Sequence, residues 1–152
     1  LAFTTKYSDV TNAATENADA NWPFLRYADV QLIYAEAENE LGNPGEALIY
    51  LNNVRRRSNA AEGSLTGSGA LDTQEKMRSA ILEERAKEFA CEGDRRWDLI
   101  RWGIYLDAMN ALGGSDDSGI NKTRSARNLL FPIPNAELNT NKAITENNPG
   151  WN

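Results

Sequence analysis

The stretch ILEERAKEFACEGDRRWDLIRWG, residues 81 to 103, concentrates the side chains that could do chemistry. Glu84, Glu88 and Glu92 recur every four residues, Asp98 comes next, and Arg85, Arg95, Arg96 and Arg101 are interleaved with them. Two of these carboxylates could work as a glycosidase pair. That reaction needs one carboxyl with a raised pKa and one ionised partner, about 5 to 9.5 Å apart across an open cleft. The arginines argue against it, since cations beside every carboxylate keep them all ionised and remove the general acid. We therefore assign no catalytic residue.

The alternative is structural. On a wheel of about 100° per residue, Met77, Ile81, Glu84, Glu88 and Glu92 share one stripe, and Arg101 falls among Trp97, Ile104 and Ala108. Charge is thus carried toward the interior, where it costs several kcal/mol unless paired and hydrogen-bonded. Arginine suits the task because its planar fork meets a carboxylate in two parallel bonds. The expectation is a buried ion-pair network of Glu84, Arg85, Glu88, Glu92, Arg95, Asp98 and Arg101. A tight corner at Gly93 would bring Glu88 and Glu92 near Arg95 and Arg101 and fix the angle between two helices.

Those helices are a third, from about Thr73 to Glu92, opened by a capping box of Asp72 with Glu75, and a fourth, from about Arg95 to Leu112, stopped by Gly113 and Gly114. Upstream, Val30, Ile33, Tyr34, Ala37 and Leu41 give a first helix its apolar stripe. Gly42 and the turn NPG come after it. A second helix carries Ala47, Tyr50, Leu51 and Val54 on one face and ends in Arg55, Arg56 and Arg57, which are expected to be solvated or paired there. The spacing of Ala35, Gly42, Ala47, Leu51 and Val54 is similar to that of a tetratricopeptide repeat. Such repeats bury their faces against neighbours, so one hairpin implies partners upstream.

The expected architecture is all-α: tetratricopeptide-like helical hairpins with long irregular loops and an extended C-terminal tail. A single helical domain spans 1–152, with an arm or loop at 1–24, a hairpin at 25–57, a Gly/Ser-rich loop at 58–71, a helix pair at 72–112, and a loop and tail at 113–152. In the tail, LLFPIP at 129 to 134 is an extended apolar anchor, and Trp151 pins the turn-rich end of the chain onto the helices.

Bulk properties exclude several classes. A net charge of −6 and a pI of about 4.7 argue against a nucleic-acid surface, which would be basic. No apolar run reaches the roughly 20 residues of a membrane helix, and the first residues lack the pattern of a signal peptide. The chain has no histidine, which removes the commonest general base and most zinc sites. Asp116 and Asp117 lack the other ligands of a calcium loop, so neither metal nor cofactor is expected. The lone Cys91 cannot form an internal disulfide and reads as a small buried hydrophobe.

Three ordered motifs then resemble the SusD/RagB family of outer-membrane nutrient-uptake lipoproteins. The first is Glu84-Arg85, Glu88-Phe89, Glu92-Gly93, Arg95, Asp98-Leu99 and Arg101-Trp102-Gly103. The second is FLRYADVQLIYAEAENELG at 24 to 42, and the third is FPIPNAEL at 131 to 138 with NNPGW at 147 to 151. The resemblance implies an all-helical scaffold and capture of oligosaccharides, or sometimes peptides, without catalysis. It implies a place on the cell surface at the outer membrane, held by a lipid anchor outside this chain, over a SusC-like TonB-dependent transporter as partner. It also makes the signature motif scaffold, in line with the wheel. A protein-holding helical-repeat scaffold and, less favoured, a carbohydrate-active enzyme are the other readings.

Sugar rings present apolar C–H faces that stack on exposed aromatic rings, with Asn, Asp or Arg nearby for the hydroxyls. Trp22 beside Asn21 is the foremost candidate for glycan contact and Tyr7 a weaker one; the competing role of Trp22 is to staple the arm to the first helix. Trp97 and Trp102 are expected in the core.

Overall fold

The computed structural model describes Lys6, residues 23–112 and residues 123–151. Every regular element among them is helical: α1 (Tyr27–Glu40), α2 (Pro44–Arg57), α3 (Gln74–Glu88), α4 (Arg95–Arg101), α5 (Tyr105–Ala111), a 3-10 turn (Ala126–Asn128) and α6 (Asn135–Thr140). The fold is all-α, as the sequence implies. The chain forms two compact units, residues 1–95 and residues 96–152.

In the first unit α1 and α2 form the hairpin and α3 packs against both. Its core is built from Ala28, Leu32 and Ala35 of α1, Ala47, Leu51 and Val54 of α2, and Met77, Ala80 and Ile81 of α3, with Phe89 just beyond. Alanines at the helix contacts let the backbones approach closely. This corrects the expected orientation of α1. Val30, Ile33, Tyr34 and Leu41 are exposed, and the buried side is Ala28, Leu32, Ala35 and Asn39. The α2 face is close to expectation, with Ala47, Leu51 and Val54 buried and Tyr50 packed at the edge.

Buried amides lock the hairpin to its surroundings. Asn39 Nδ2 donates to the Gln74 carbonyl at 3.1 Å while Gln74 Nε2 donates to the Asn39 carbonyl at 3.0 Å, joining the end of α1 to the start of α3. Asn52 makes a similar pair with the backbone of Gly63, at 3.1 and 2.8 Å, and so holds the 58–71 loop against α2. These bonds satisfy the Asn39 and Asn52 amides, which would cost free energy if buried unpaired.

The helix ends depart from expectation in informative ways. The cap of α3 is Thr73, whose hydroxyl accepts from Lys76 N–H at 3.2 Å, in place of a box between Asp72 and Glu75. The helix stops at Glu88, four residues earlier than expected, and Cys91 and Gly93 take left-handed conformations (φ 65° and 97°). Cys91 is exposed, not buried, because it forms this turn. The expected fourth helix is two: Gly103 (φ 73°) reverses the backbone between α4 and α5.

In the second unit Leu99 and Tyr105 are buried, and polar links join the elements. Arg96 Nη1 donates to Tyr105 Oη at 3.0 Å and Nη2 to the Asn128 carbonyl at 2.7 Å, joining α4, α5 and the 3-10 turn. The C-terminal motif clips onto the extended 130–134 segment. Ile133 N–H donates to Asn147 Oδ1 at 2.7 Å, Asn148 Nδ2 to the Phe131 carbonyl at 2.7 Å, and Trp151 Nε1 to the Arg127 and Leu130 carbonyls at 3.0 and 3.1 Å. Gly150 is required there: φ is 83°, and a Cβ would lie 2.6 Å from Arg127 Cβ. The tail also contains α6, which the turn-rich sequence does not suggest.

Candidate functional site

The charged stretch wraps the C-terminal end of α3. Glu84 is buried on the core side of the helix, and its Oε2 accepts from Arg55 Nε at 2.9 Å. One turn on, Glu88 Oε1 accepts from Arg26 Nη1 at 2.7 Å and also meets Arg57. Beyond the helix, Glu92 takes two parallel bonds from Arg26, from Nε and Nη2, each at 2.9 Å, and pairs with Lys6. Arg26 Nη2 further donates to the Glu88 carbonyl at 3.0 Å, and Lys6 Nζ to the same carbonyl at 2.8 Å. The last carbonyl of α3, which lacks a partner within the helix, thus receives two cations.

Arg85 completes the group. Its Nη1 donates to Asp29 Oδ1 of α1 at 2.7 Å, and its guanidinium lies 5.0 Å from the Phe89 ring centre. The Arg26 guanidinium lies 4.9 Å from the same ring. Contacts of this kind add an attraction between cation and ring to that of the ion pairs. Arg26, immediately before α1, is the hub: one side chain engages two carboxylates, a helix-end carbonyl and an aromatic face.

The partners differ from those the sequence suggests. Glu84 pairs with Arg55 of α2, Glu88 with Arg26 and Arg57, and Glu92 with Arg26 and Lys6, in place of Arg95 and Arg101. Arg101 is exposed, and its Nε donates to Asp98 Oδ1, one turn back in α4, at 3.0 Å. Arg95 is exposed and reaches the Leu82 carbonyl at 3.2 Å. Asp98 itself is buried. Sequence reasoning misses Arg26, Asp29 and Lys6 as partners and leaves Arg55 and Arg57 either solvated or paired. A signal exists: buried carboxylates at four-residue spacing on α3 demand as many cations from other helices, and the Arg55–Arg57 cluster supplies two.

Burial alone would raise the Glu88 and Glu92 carboxyls. The hydrogen bonds and charges of Arg57 and Arg26 at Glu88, and of Arg26 and Lys6 at Glu92, outweigh burial and hold both below the usual 4.5. A lowered folded pKa contributes stability above the unfolded value and loses it as pH falls through the folded one. The first unit should therefore keep full stability from pH 7 to about 5 and lose it progressively below about 4.5. Thermal melts at stepped pH check this; a flat Tm from about pH 5 to 3 would mean the pairs add nothing.

Trp22, Asn21 and Tyr7 lie outside the described residues, as do Asp116 and Asp117. Trp102 is half-buried, but Trp97 is exposed, against expectation, and so is Phe131 of the expected apolar anchor. Their ring centres are 6.4 Å apart, tilted by 55°. The Arg96 guanidinium lies 5.9 Å from the Trp97 ring, 5.1 Å from Tyr105 and 5.0 Å from Phe131. A shallow groove of about 480 Å³ runs between the 67–72 loop and α3, lined by Asp72, Glu75, Lys76, Ser79 and Glu83 among others, with no aromatic ring. No group of His, Cys, Asp or Glu among the described residues is arranged to hold a metal ion, and none of the described helices is long and apolar enough to cross a membrane.

The same segments recur in known proteins. The SusD family model matches residues 2–151. SusD-like protein P25 of Formosa agariphila is 41% identical over 138 residues, covering 91% of this chain and 26% of that protein. The starch-binding protein SusD of Bacteroides thetaiotaomicron is 30% identical over 139 residues, covering 85% of this chain and 21% of that protein. The crystal structure of a SusD homolog from Bacteroides thetaiotaomicron superposes with a TM-score of 0.74 at 33% identity, over 94% of this chain and 31% of that one. This chain thus spans between a fifth and a third of the length of these relatives. The helical hairpin, the charged turn after α3 and the clipped C-terminal motif all fall within the matched span, and the chain belongs to the SusD family.

Proposed function

We propose that this chain serves, within a cell-surface protein of the outer membrane, in the non-catalytic capture of oligosaccharides for nutrient uptake. The observation that carries this reading is membership of the SusD family over nearly the whole chain, with a starch-binding protein among the relatives. The partner under this reading is a SusC-like TonB-dependent transporter, with a lipid anchor outside this span. The charge arrangement supports capture without cleavage. Glu84, Glu88, Glu92 and Asp98 each face a cation, and Glu88 and Glu92 are held ionised, so neither offers the protonated carboxyl that glycoside hydrolysis needs. The charged stretch is then scaffold: Arg26 fixes the entry to α1 against the end of α3, and Arg55 and Arg57 fix the end of α2.

Affinity electrophoresis through gels containing amylose, laminarin, pectin or alginate tests the reading. Retardation in at least one gel, at the millimolar-to-micromolar strength of a site with few stacking contacts, about −4 to −8 kcal/mol, is the expected result. Unretarded migration in every gel would count against it. The protein-scaffold reading draws on one observation, the exposed side of α1 with Tyr27, Val30, Ile33, Tyr34 and Leu41. A helix stripe of that kind suits another helical hairpin.

A further inference from the structure

We propose that Trp97 and Phe131, set about the Arg96 guanidinium, form a stacking site for a pyranose ring; the proposal rests on the glycan-capture reading and names where that capture takes place. Single exposed hydrophobes are ordinary. Here two large rings, 55% and 63% exposed, stand side by side on one unit. Neither is loose. Trp97 belongs to α4, and the Phe131 carbonyl is held by Asn148 while Ile133, two residues on, is bonded in both directions to Asn147. Arg96 is fixed by Tyr105 Oη and the Asn128 carbonyl. A backbone and a guanidinium ordered before binding leave less freedom to be lost on binding.

The chemistry selects the ligand. Tilted aromatic planes match the apolar C–H faces of successive sugar rings. The guanidinium carries five N–H donors, of which two are engaged by Tyr105 and Asn128; the other Nη hydrogens are donors for ring hydroxyls or for a sugar carboxylate or sulfate. A cationic ligand is disfavoured by Arg96, and a nucleic acid by the net charge of −6. The groove beside α3 lacks rings, and of the two rings on the outward side of α1, Tyr27 and Tyr34, the second is packed 4.4 Å from Tyr50 of its own hairpin. Neither combines stacking planes with fixed donors.

The test uses the same polysaccharide gels. Trp97→Ala and Phe131→Ala should each weaken retention about tenfold or more, which is about 1.4 kcal/mol or more, while Trp97→Phe keeps most of it. Leu41→Ala, another exposed hydrophobe far along the chain, should migrate as the unmutated protein does. If the unmutated protein is retained and both alanine variants are retained equally, the stacking site is wrong and glycan capture stands. If the unmutated protein is retained in no gel, both fall. Should an alanine variant unfold, the unmutated protein still decides: a retaining polysaccharide must protect Trp97 from N-bromosuccinimide, read by mass spectrometry, and equal oxidation with and without it overturns the proposal.

Discussion

Arg26→Ala should lower the free energy of unfolding by about 3 kcal/mol, since it leaves buried carboxylates short of a partner. The side chains of Glu88 and Glu92 are only 8% and 4% exposed. Removing Arg26 deletes the two parallel bonds to Glu92, one to the Glu88 carboxylate and one to the Glu88 carbonyl. Arg57 and Lys6 remain nearby and keep the loss below the upper end for a broken buried pair. Arg26→Lys should recover only part of the stability, because a point charge cannot reproduce the fork. Arg56→Ala is the contrast: its pair with Glu62 is on the surface, so the denaturation midpoint should stay in place. Chemical denaturation of the three variants reads this directly, and an Arg26→Ala loss under about 1 kcal/mol would place the hub among ordinary surface pairs.

The second large effect separates the two sides of α1. Leu32 is fully buried among α1, α2 and α3, whereas its neighbour Ile33 is 51% exposed. Leu32→Ala should cost about 3 kcal/mol through lost transfer energy and the cavity left behind. Ile33→Ala should cost less than about 0.5 kcal/mol, as surface substitutions do. Equal losses at the two positions, read from denaturant melts, would mean that both sides of α1 are covered in the folded protein.

This contrast shows what the amino-acid sequence makes legible. Helix α1 is apolar on more than one side, so periodicity alone offers two stripes. The larger residues, Val30, Ile33, Tyr34 and Leu41, form the more conspicuous one. The buried stripe relies on Ala28 and Ala35 because α2 packs close, and small residues leave a weak hydrophobic signal. On α3 there is no such competition: Met77 and Ile81 mark the buried side, and Glu84 and Glu88 continue it at helical spacing. Their burial is readable, but their partners are not. Arg55 lies 29 residues from Glu84 and Arg26 lies 66 from Glu92, and local spacing says nothing about pairs that only the tertiary fold creates. The break between α4 and α5 depends on one left-handed glycine, Gly103, inside a pattern that otherwise continues as helix. Trp97 reads as core because large rings usually are, and Phe131 reads as part of an apolar anchor; the exposure of both is a property of the packing.

The central claim is that the carboxylates of the charged stretch hold the fold and do not cut glycans. One measurement meets it directly: incubate the protein with each polysaccharide and track new reducing ends over time, with Glu84→Gln and Glu88→Gln in parallel. The account predicts no reducing ends above the protein-free control, for the unmutated chain and both variants, with the variants losing thermal stability instead. Reducing ends that accumulate with the unmutated protein and vanish in either variant, at unchanged stability, would contradict it and make the stretch an active site.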